Sequence, residues 1–198
     1  PSHVMDMRTM LCSFGAPEQA LLGLAAGQMG GFYGLQVSSN SGLTDALFPD
    51  FQGGAEKALN ATFSLLGGTT GIGCQGIVGA DMGFSMEQLV LDNEWIDSYN
   101  RIMDGFEVNA ETIAEGLIQE LGIGANFIAE EHTVEHLRES LWQTRLMNRN
   151  GWENALPQGG IPLLDRVHAR VEELTAGYRT MEPVVDAATC ERLDYLAK

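Results

Sequence analysis

Helix-like and strand-like segments alternate through the first half of this chain. A helix is predicted over Pro17–Tyr33, with proline suited to its first turn and Gly34 to its left-handed end. A strand is expected over 35–38, a second helix over 51–67 and a glycine-rich strand over 70–78. Parallel strands need long crossover connections, so this order favours an α/β fold with helices covering a largely parallel sheet.

The remaining segments predict a short strand at the start and a helical second half. A strand is expected over 4–11, and the capping-box spacing of Ser85 and Gln88 predicts a long helix from there to about Met103. About four strands are too few to close a barrel alone, and no internal repeat is visible. The predicted helical faces are Ala55, Ala58, Leu59, Phe63 and Leu66 in the second helix, and Leu91, Trp95, Tyr99 and Ile102 in the long one. Further helices are predicted over 109–121, 133–147, 162–178 and 183–196.

Size and charge limit the classes of partner. The chain has 198 residues, which suits a single domain over 1–198, and 44% of them are hydrophobic with a mean hydropathy of -0.05. No apolar run approaches the roughly 18 residues that a membrane span needs. The net charge of -16 repels nucleic acid and anionic lipid, whereas cationic ligands are compatible with it.

Three cysteines, Cys12, Cys74 and Cys190, are an odd number without short spacing. That pattern fits a reducing compartment better than a disulfide scaffold or a thiolate zinc site, so a cytoplasmic location is expected. The chain opens at Pro1 with neither an initiator methionine nor a secretory leader, and we expect it to be part of a longer protein.

Two local patterns suggest other chemistries. The run 71–76, GIGCQG, matches a dinucleotide fingerprint, with Asp92 downstream, but its glycines occupy a predicted strand rather than the start of a helix, which favours close packing. The run 132–136, HTVEH, fits H-x-x-E-H, in which His132 and His136 could hold zinc and Glu135 could act as base. Thr133 is expected to cap that helix and leave His132 outside it. No local signature marks an activated nucleophile.

The polar loop after the 35–38 strand carries the more specific pattern. Loops at the carboxyl ends of parallel strands hold the functional residues of such folds. The loop reads GLTDA over 42–46 and PDFQGGAEKA over 49–58, and it is followed by GFSMEQLVLDNE over 83–94. These motifs, with His132-Thr133 and Leu141-Trp142, resemble the trimethylamine methyltransferase family, the B-type subunits that demethylate amines for a corrinoid protein.

The resemblance implies a fold and an activity. Family members are longer and form a (β/α)₈ TIM-type barrel, so the chain would be the C-terminal half of that barrel plus a helical tail. Leu47 stands where the family often has lysine, and the chain has no pyrrolysine. The resemblance therefore implies a cytoplasmic enzyme, of the kind that serves methanogenesis, acting on quaternary amines such as glycine betaine, with trimethylamine as the other substrate.

The implied chemistry needs no nucleophile from this chain. The nucleophile would be the Co(I) corrinoid of a partner protein, with no cofactor bound by this chain, whose task would be positioning, desolvation and charge complementarity. A methylated cation calls for aromatic faces and carboxylates, and a betaine carboxylate calls for donors. Phe48, Trp95 and Trp142 are further aromatic candidates, although core packing on a helical stripe explains Trp95 better, and Arg8 is a further donor. The implied substrate-binding residues are Asp45, Asp50, Gln52, Gln75, Phe84, Glu87 and His132.

The sequence leaves several interpretations of these residues open. Asp45 and Asp50 suit turn or helix capping as well as cation contact, and helix-dipole stabilisation alone would account for Glu87. A zinc-dependent hydrolase built on His132, Glu135 and His136, or a betaine-binding relative without catalysis, are the alternatives. A homo-oligomer is expected, because a half barrel would expose two sheet edges and associate or precipitate when produced alone.

Overall fold

The structure, a computed structural model, describes residues 3–155, 160–178 and 185–196. Within these ranges it is a mixed α/β arrangement of helices and three small sheets. The strands are β1 (Met5–Asp6), β2 (Leu11–Cys12), β3 (Ser38–Ser39), β4 (Gly71–Ile72), β5 (Ile77–Val78) and β6 (Gly83–Phe84). The helices are α1 (Pro17–Tyr33), α2 (Phe51–Leu66), α3 (Met86–Asp104), α4 (Ala110–Ile113), α5 (Glu115–Leu121), α6 (Glu131–Ser140), α7 (Trp152–Ala155), α8 (Leu163–Thr175) and α9 (Ala187–Leu196).

One parallel strand-helix-strand unit confirms the predicted crossover. β3 and β4 pair in parallel, Ser38 opposite Gly71 and Ser39 opposite Ile72, with α2 connecting them. The rest of the predicted parallel sheet is not observed, since β1 pairs with β2 and β5 with β6 in antiparallel hairpins. The described residues therefore show an α/β fold with small sheets and no closed barrel.

Two of the predicted strands, over 4–11 and 70–78, are not continuous, because the backbone turns within each of them. The predicted strand over 4–11 reverses before Leu11, with Met10 at a φ of 60°. The predicted strand over 70–78 is broken between β4 and β5, where Cys74 and Gly76 have φ angles of 73° and 76°. As predicted, no helix starts at that glycine run, but its residues lie in β4 and in the turn after it rather than in one continuous strand.

Helices α1 and α2 pack at very close range through small residues. The buried side of α1 carries Ala20, Gly23, Gly27 and Gly30. A Cβ on Gly27 would lie 2.5 Å from the carbonyl oxygen of Gly67, and one on Gly23 would meet the hydroxyl of Ser64. Glycine thus allows backbone-to-backbone contact that no larger residue permits.

The inward face of α2 is polar, contrary to the prediction. The predicted apolar face over 55–66 is largely outside: Leu59 is 40% and Leu66 is 74% exposed. The buried residues are Gly53, Lys57, Asn60, Ala61 and Ser64. Small and polar side chains are inside because the close contact with α1 excludes bulk and because Lys57 is paired internally.

The α3 prediction is confirmed in its bounds and half confirmed in its cap. The Ser85 hydroxyl accepts the Gln88 N–H at 3.1 Å, but the Gln88 side chain donates to Asp92 instead of reaching back. The stripe through Leu91 and Trp95 is half-buried, and it ends at Ile102, which is 68% exposed.

The later helices are shorter than predicted. The 109–121 segment divides at Ala114, whose φ is 52°, and the 133–147 helix is instead α6. The 162–178 helix is α8, and the 183–196 helix is α9, with 179–184 outside the described residues. In the described part of the chain no helix is long and apolar enough to span a membrane.

Candidate functional site

The loop after β3 folds back on the approach to α1 through the carboxylate of Asp45. Asp45 Oδ1 accepts the Phe14 N–H at 2.8 Å, and Oδ2 accepts the Ser13 hydroxyl at 2.9 Å and the Gly15 N–H at 3.1 Å. Asp45 is half-buried, and its backbone neighbours Thr44 and Ala46 are buried. The loop between β3 and α2 is thereby fixed against the loop before α1.

Glu56 on α2 closes the same loop from the helix side. Its Oε2 accepts the Thr44 hydroxyl at 2.5 Å and the Asp45 N–H at 2.9 Å, and its Oε1 accepts the Gln52 amide at 2.8 Å. The carboxylate of Glu56 lies where a Cβ on Gly15 would be, so position 15 has room only for glycine while Glu56 keeps this rotamer. Asp45 and Glu56 therefore converge on Gly15.

This pair of carboxylates, Asp45 and Glu56, has neutral donors and no cation. Their partners are backbone N–H groups, two hydroxyls and one amide. None of the ion pairs found in the described ranges includes either residue. Hydrogen bonds hold the two groups in place without cancelling their charge, so they create a local negative potential at a half-buried position.

A second network surrounds the buried pair Lys57 and Asp92. Lys57 Nζ is 2.7 Å from Asp92 Oδ2, and both side chains have no exposed surface. Asp92 also accepts the Gly76 N–H, the Gln88 amide and the Trp95 indole N–H, each at 2.7 Å. Burial lowers the pKa of Lys57, an effect that the hydrogen bond and charge of Asp92 oppose. This network fastens α2, α3 and the turn at Gly76 to one another.

Asp50 and Gln52 are exposed at the start of α2. Asp50 Oδ1 accepts the Gly53 N–H at 3.0 Å, which is helix capping, one of the two roles expected for it. Gln52 supports Glu56 by the hydrogen bond described above. Of the predicted substrate-binding residues, the structure thus joins Asp45 and Gln52 through Glu56.

Gln75, Phe84 and Glu87 surround the β5–β6 hairpin. The Gln75 amide donates to the Ile72 carbonyl at 2.6 Å, so it fastens its own turn. Phe84 is 55% exposed and its ring lies over Gly76. Glu87 accepts the Ser85 hydroxyl at 3.0 Å and its Oε1 lies 3.0 Å from Nδ1 of His168 on α8, so its contacts are structural in this chain.

His132 lies apart, on α6 against α4. The prediction that Thr133 would exclude it from the helix is wrong, because α6 begins at Glu131 and the rings of His132 and His136 are 4.4 Å apart. His132 Nε2 is 2.9 Å from the carbonyl oxygen of Glu111, and none of its contacts is with the other six predicted residues. In the part of the chain that the structure describes, no group of three or more His, Cys, Asp or Glu side chains could hold a metal, so the zinc alternative gains no support.

The other candidates have mixed surroundings. Phe48 is 70% exposed, Trp95 is half-buried with its N–H on Asp92, and Trp142 is half-buried in the segment after α6. Arg8 is exposed on the β1–β2 hairpin and pairs with Asp6 at 3.0 Å, which raises the pKa of Arg8 through their hydrogen bond.

Comparison with known proteins accounts for the motifs of this loop. The family model described as trimethylamine methyltransferase (MTTB) matches residues 2–198. The chain belongs to the trimethylamine methyltransferase family. It is 31% identical over 193 residues to trimethylamine methyltransferase MttB of Methanosarcina barkeri, covering 92% of this chain and 39% of that relative. It is 28% identical over 189 residues to the glycine betaine methyltransferase of Desulfitobacterium hafniense strain Y51, covering 94% and 39%.

A third relative, trimethylamine methyltransferase MttB of Desulfitobacterium hafniense strain DSM 10664 / DCB-2, is 29% identical over 181 residues, covering 91% of this chain and 36% of that relative. The chain thus spans about two fifths of the length of the curated relatives that it matches.

In this member of the trimethylamine methyltransferase family, sequence reasoning missed Glu56 at the loop and the buried network of Lys57, Gln88 and Asp92. One signal was available: Lys57 is the only lysine or arginine between Arg8 and Arg101. An isolated cation in an acidic stretch indicates a buried partner more than a solvated face. Which acid it meets depends on the packing of α2 against α3, which no spacing in the sequence reveals.

Proposed function

We propose that this chain positions a quaternary amine of the betaine class for transfer of a methyl group to the corrinoid of a partner protein. The observation that carries the proposal is the pair of half-buried carboxylates, Asp45 and Glu56, held only by neutral donors. Family membership and the glycine betaine methyltransferase among the relatives support the same substrate class.

The chemistry of the ligand matches that pair. A quaternary ammonium ion has no N–H and accepts no hydrogen bond, so it needs charge and apolar contact rather than free lone pairs. The oxygens of Asp45 and Glu56 already accept hydrogen bonds, yet their charge is uncompensated. Such a site favours a permanently methylated cation over an ammonium ion that must donate its own hydrogen bonds.

This chain's own part in the reaction is positioning. A Co(I) corrinoid, when its carrier protein is docked, supplies the nucleophile, and a neutral tertiary amine leaves. Asp45 and Glu56 would hold the cationic head of the substrate. The hydrogen bonds between Asp45 and residues 13–15 would keep the pair fixed during the reaction. No side chain of the pair needs to lose or gain a proton.

The rim of this loop suits a docked apolar macrocycle. Leu47 is 69%, Phe48 is 70% and Met82 is 89% exposed. Two backbone hydrogen bonds join the turn of the β5–β6 hairpin to the loop. The Gly79 N–H donates to the Ala46 carbonyl at 2.7 Å, and the Ala80 N–H donates to the Thr44 carbonyl at 2.9 Å. These three exposed side chains are uncharged, and the backbone hydrogen bonds support the loop that carries Leu47 and Phe48. We further propose that the complete protein is a (β/α)₈ barrel in which β3 and β4 are neighbouring strands.

Ligand binding and methyl transfer test the proposal in two steps. Binding of glycine betaine, trimethylamine and choline to this protein is measured by calorimetry, and loss of Co(I) absorbance is followed with a reduced corrinoid partner. Glu56→Gln and Asp45→Asn should each weaken binding of the quaternary amines about tenfold or more, since each removes one of the two charges. Asp104→Asn, an exposed residue at the end of α3, removes the same charge and should leave binding unchanged.

The outcomes separate the alternatives. Binding that depends on Asp45 and Glu56 without any loss of Co(I) would identify a betaine-binding relative rather than a methyltransferase. Binding that Glu56→Gln and Asp104→Asn weaken equally would show that only net charge matters and would overturn the assignment of the carboxylate pair. Circular dichroism of each variant checks that the fold is retained.

A further inference from the structure

A cavity of about 850 Å³ lies between the segment after α6 and the start of α8. Its charged lining residues, among those that the structure describes, are all arginines: Arg145, Arg149 and Arg166. No carboxylate lines it, although acidic residues outnumber basic ones by 27 to 11 in the whole chain. In so acidic a protein, a cavity whose described charged residues are all cationic calls for a functional reason.

The backbone of the cavity wall is held rigidly by a buried carboxylate. Glu94 on α3 is only 4% exposed, and its Oε1 accepts the Arg145 N–H at 2.9 Å, the Leu146 N–H at 3.1 Å and the Thr144 hydroxyl. The Thr144 oxygen in turn accepts the Met147 N–H at 2.7 Å. Burial raises the pKa of Glu94, but these hydrogen bonds outweigh it and lower the pKa overall. The turn that presents Arg145 is therefore preorganised.

The three arginines have different roles. Arg166 is part of the wall, since its Nε donates to the Leu146 carbonyl at 3.1 Å and its Nη1 donates to the Ile161 carbonyl. Arg149 donates one hydrogen bond to the Asn148 carbonyl, and Arg145 forms no side-chain hydrogen bond or ion pair within the described ranges. Arg145 and Arg149 are both exposed, so most of their N–H donors face solvent or the cavity.

Neutral donors complete the lining. Gln143 and Asn148, which carry neutral amides, line the same cavity, as does Trp142. Guanidinium groups recognise the paired oxygens of phosphate and carboxylate by parallel hydrogen bonds, and neutral amides extend that pattern. On its far side Arg145 also borders a groove lined by the acids Glu94, Asp97 and Glu173, but among the described residues none of these acids lies within ion-pair distance of Arg145. Glu173 pairs with Arg170 instead.

We propose that this cavity is a binding site for a small anion bearing a phosphate or carboxylate group, recognised by Arg145 and Arg149 against a wall fixed by Arg166 and Glu94. The site is separate from the carboxylate pair at Asp45 and Glu56 in sequence, in elements and in the sign of its charge. It does not rest on the proposed methyl transfer, because the carboxylate pair contributes nothing to it.

Binding of inorganic phosphate and of citrate to the whole protein at low ionic strength provides the test. Amide and arginine side-chain shifts are followed by NMR, and heats by calorimetry. The Arg145→Gln/Arg149→Gln variant should weaken saturable binding about tenfold or more, because it removes the charge-assisted donors and keeps the wall. Arg8→Gln/Arg138→Gln removes two exposed arginines outside the cavity, and should change the dissociation constant by about twofold or less, as expected for a change in net charge alone.

Phosphate and citrate separate the two ligand chemistries, since preference for one identifies the group that the arginines recognise. The proposal would be overturned if neither phosphate nor citrate showed saturable binding. Equal weakening in both double variants would overturn it as well, because it would show nonspecific screening. Thermal unfolding of both variants confirms that they fold. A glycine betaine titration in the same samples should be unaffected by Arg145→Gln/Arg149→Gln, so failure of either site is distinguishable from failure of the other.

Discussion

A single buried ion pair decides how the centre of this chain is arranged. The Asp92 side chain has no exposed surface. It accepts four hydrogen bonds, from Lys57, Gly76, Gln88 and Trp95. The four hydrogen bonds to Asp92 offset part of the cost of burying its charge, whereas removal of one partner leaves the other charge uncompensated. Lys57 and Asp92 are therefore expected to be strongly coupled.

Lys57→Met and Asp92→Asn should each lower the free energy of unfolding by about 3–5 kcal/mol, because each leaves one buried charge without its partner. Urea unfolding followed by tryptophan fluorescence measures the change. Asp97→Asn is the matched control, since Asp97 is exposed on the same helix, and it should stay within about 0.5 kcal/mol. The double variant should cost clearly less than the sum of the two single ones. Strict additivity would contradict the coupling.

The residues of the carboxylate pair were partly foreseeable. Asp45 is singled out by its place in a polar loop after a predicted strand, but its sequence context suits capping and ligand contact equally. The structure shows what spacing could not, namely that its oxygens meet the backbone of Phe14 and Gly15, some thirty positions earlier in the chain. Such long-range partners depend on tertiary packing, which local propensity does not encode.

At the level of elements, the first three helices were predictable, whereas the bounds of the later helices and of the strands were not. α1, α2 and α3 carry local signals in Pro17, Asp50 and Ser85, and their bounds agree with expectation. The strands have two residues each, in two local hairpins and in the pairing of β3 with β4 across α2, so alternation has no length in which to appear. The buried face of α2 could not be predicted either. Hydrophobicity alone does not show that the glycine-lined side of α1 will pack against the polar side of α2.

Close contact between α1 and α2 makes Gly27 sensitive to the smallest substitution. Gly27→Ala should lower the free energy of unfolding by about 1–3 kcal/mol, since the new methyl would lie 2.5 Å from the Gly67 carbonyl oxygen and backbone would have to move. Gly31→Ala, in the same helix with open space around it, should instead stabilise by about 0.5–1 kcal/mol. Urea unfolding of both variants measures the difference, and equal effects would refute the contact.

The ion pair between α3 and α8 predicts a pH dependence in the docking of α8. The hydrogen bond to Glu87 raises the pKa of His168 above 6.5, and the hydrogen bond from His168 lowers the pKa of Glu87 below 4.5. The stabilisation from His168 is fully present below 6.5 and disappears as pH rises through its raised pKa; that from Glu87 is present above 4.5 and disappears as pH falls through its lowered pKa. The contact between α8 and α3 should therefore be most stable between pH 4.5 and pH 6.5.

NMR titration of the His168 ring measures this directly. Glu87→Gln should bring the His168 pKa down toward its ordinary value, because the largest cause of the shift is removed, while Glu173→Gln should leave it nearly unchanged since Glu173 pairs with Arg170. Glu172 also raises the His168 pKa, so a residual shift should persist in Glu87→Gln. A His168 pKa that does not respond to Glu87→Gln would rule out the pair as its cause.

At the scale of the whole molecule, the described surface carries many large apolar side chains. Large apolar side chains are widely exposed, including Phe32 at 78%, Phe51 at 90% and Phe106 at 83%. The edges of the two-stranded sheets are unpaired among the described residues. Exposed apolar area and open strand edges both favour association with another polypeptide surface.

We therefore expect this chain, produced by itself, to associate with itself or to precipitate, as a homo-oligomer or as aggregate. Light scattering coupled to size exclusion over a range of protein concentrations measures the state. Phe32→Ser and Phe51→Ser, which remove apolar area from the outer faces of α1 and α2 without touching the described hydrogen bonds, should shift the distribution toward smaller species. Ala176→Ser, in the turn after α8, is a control that should leave the distribution unchanged. A monodisperse monomer that unfolds cooperatively would mean that the outer faces of α1 and α2 tolerate water, and that association with a further surface is not required for stability.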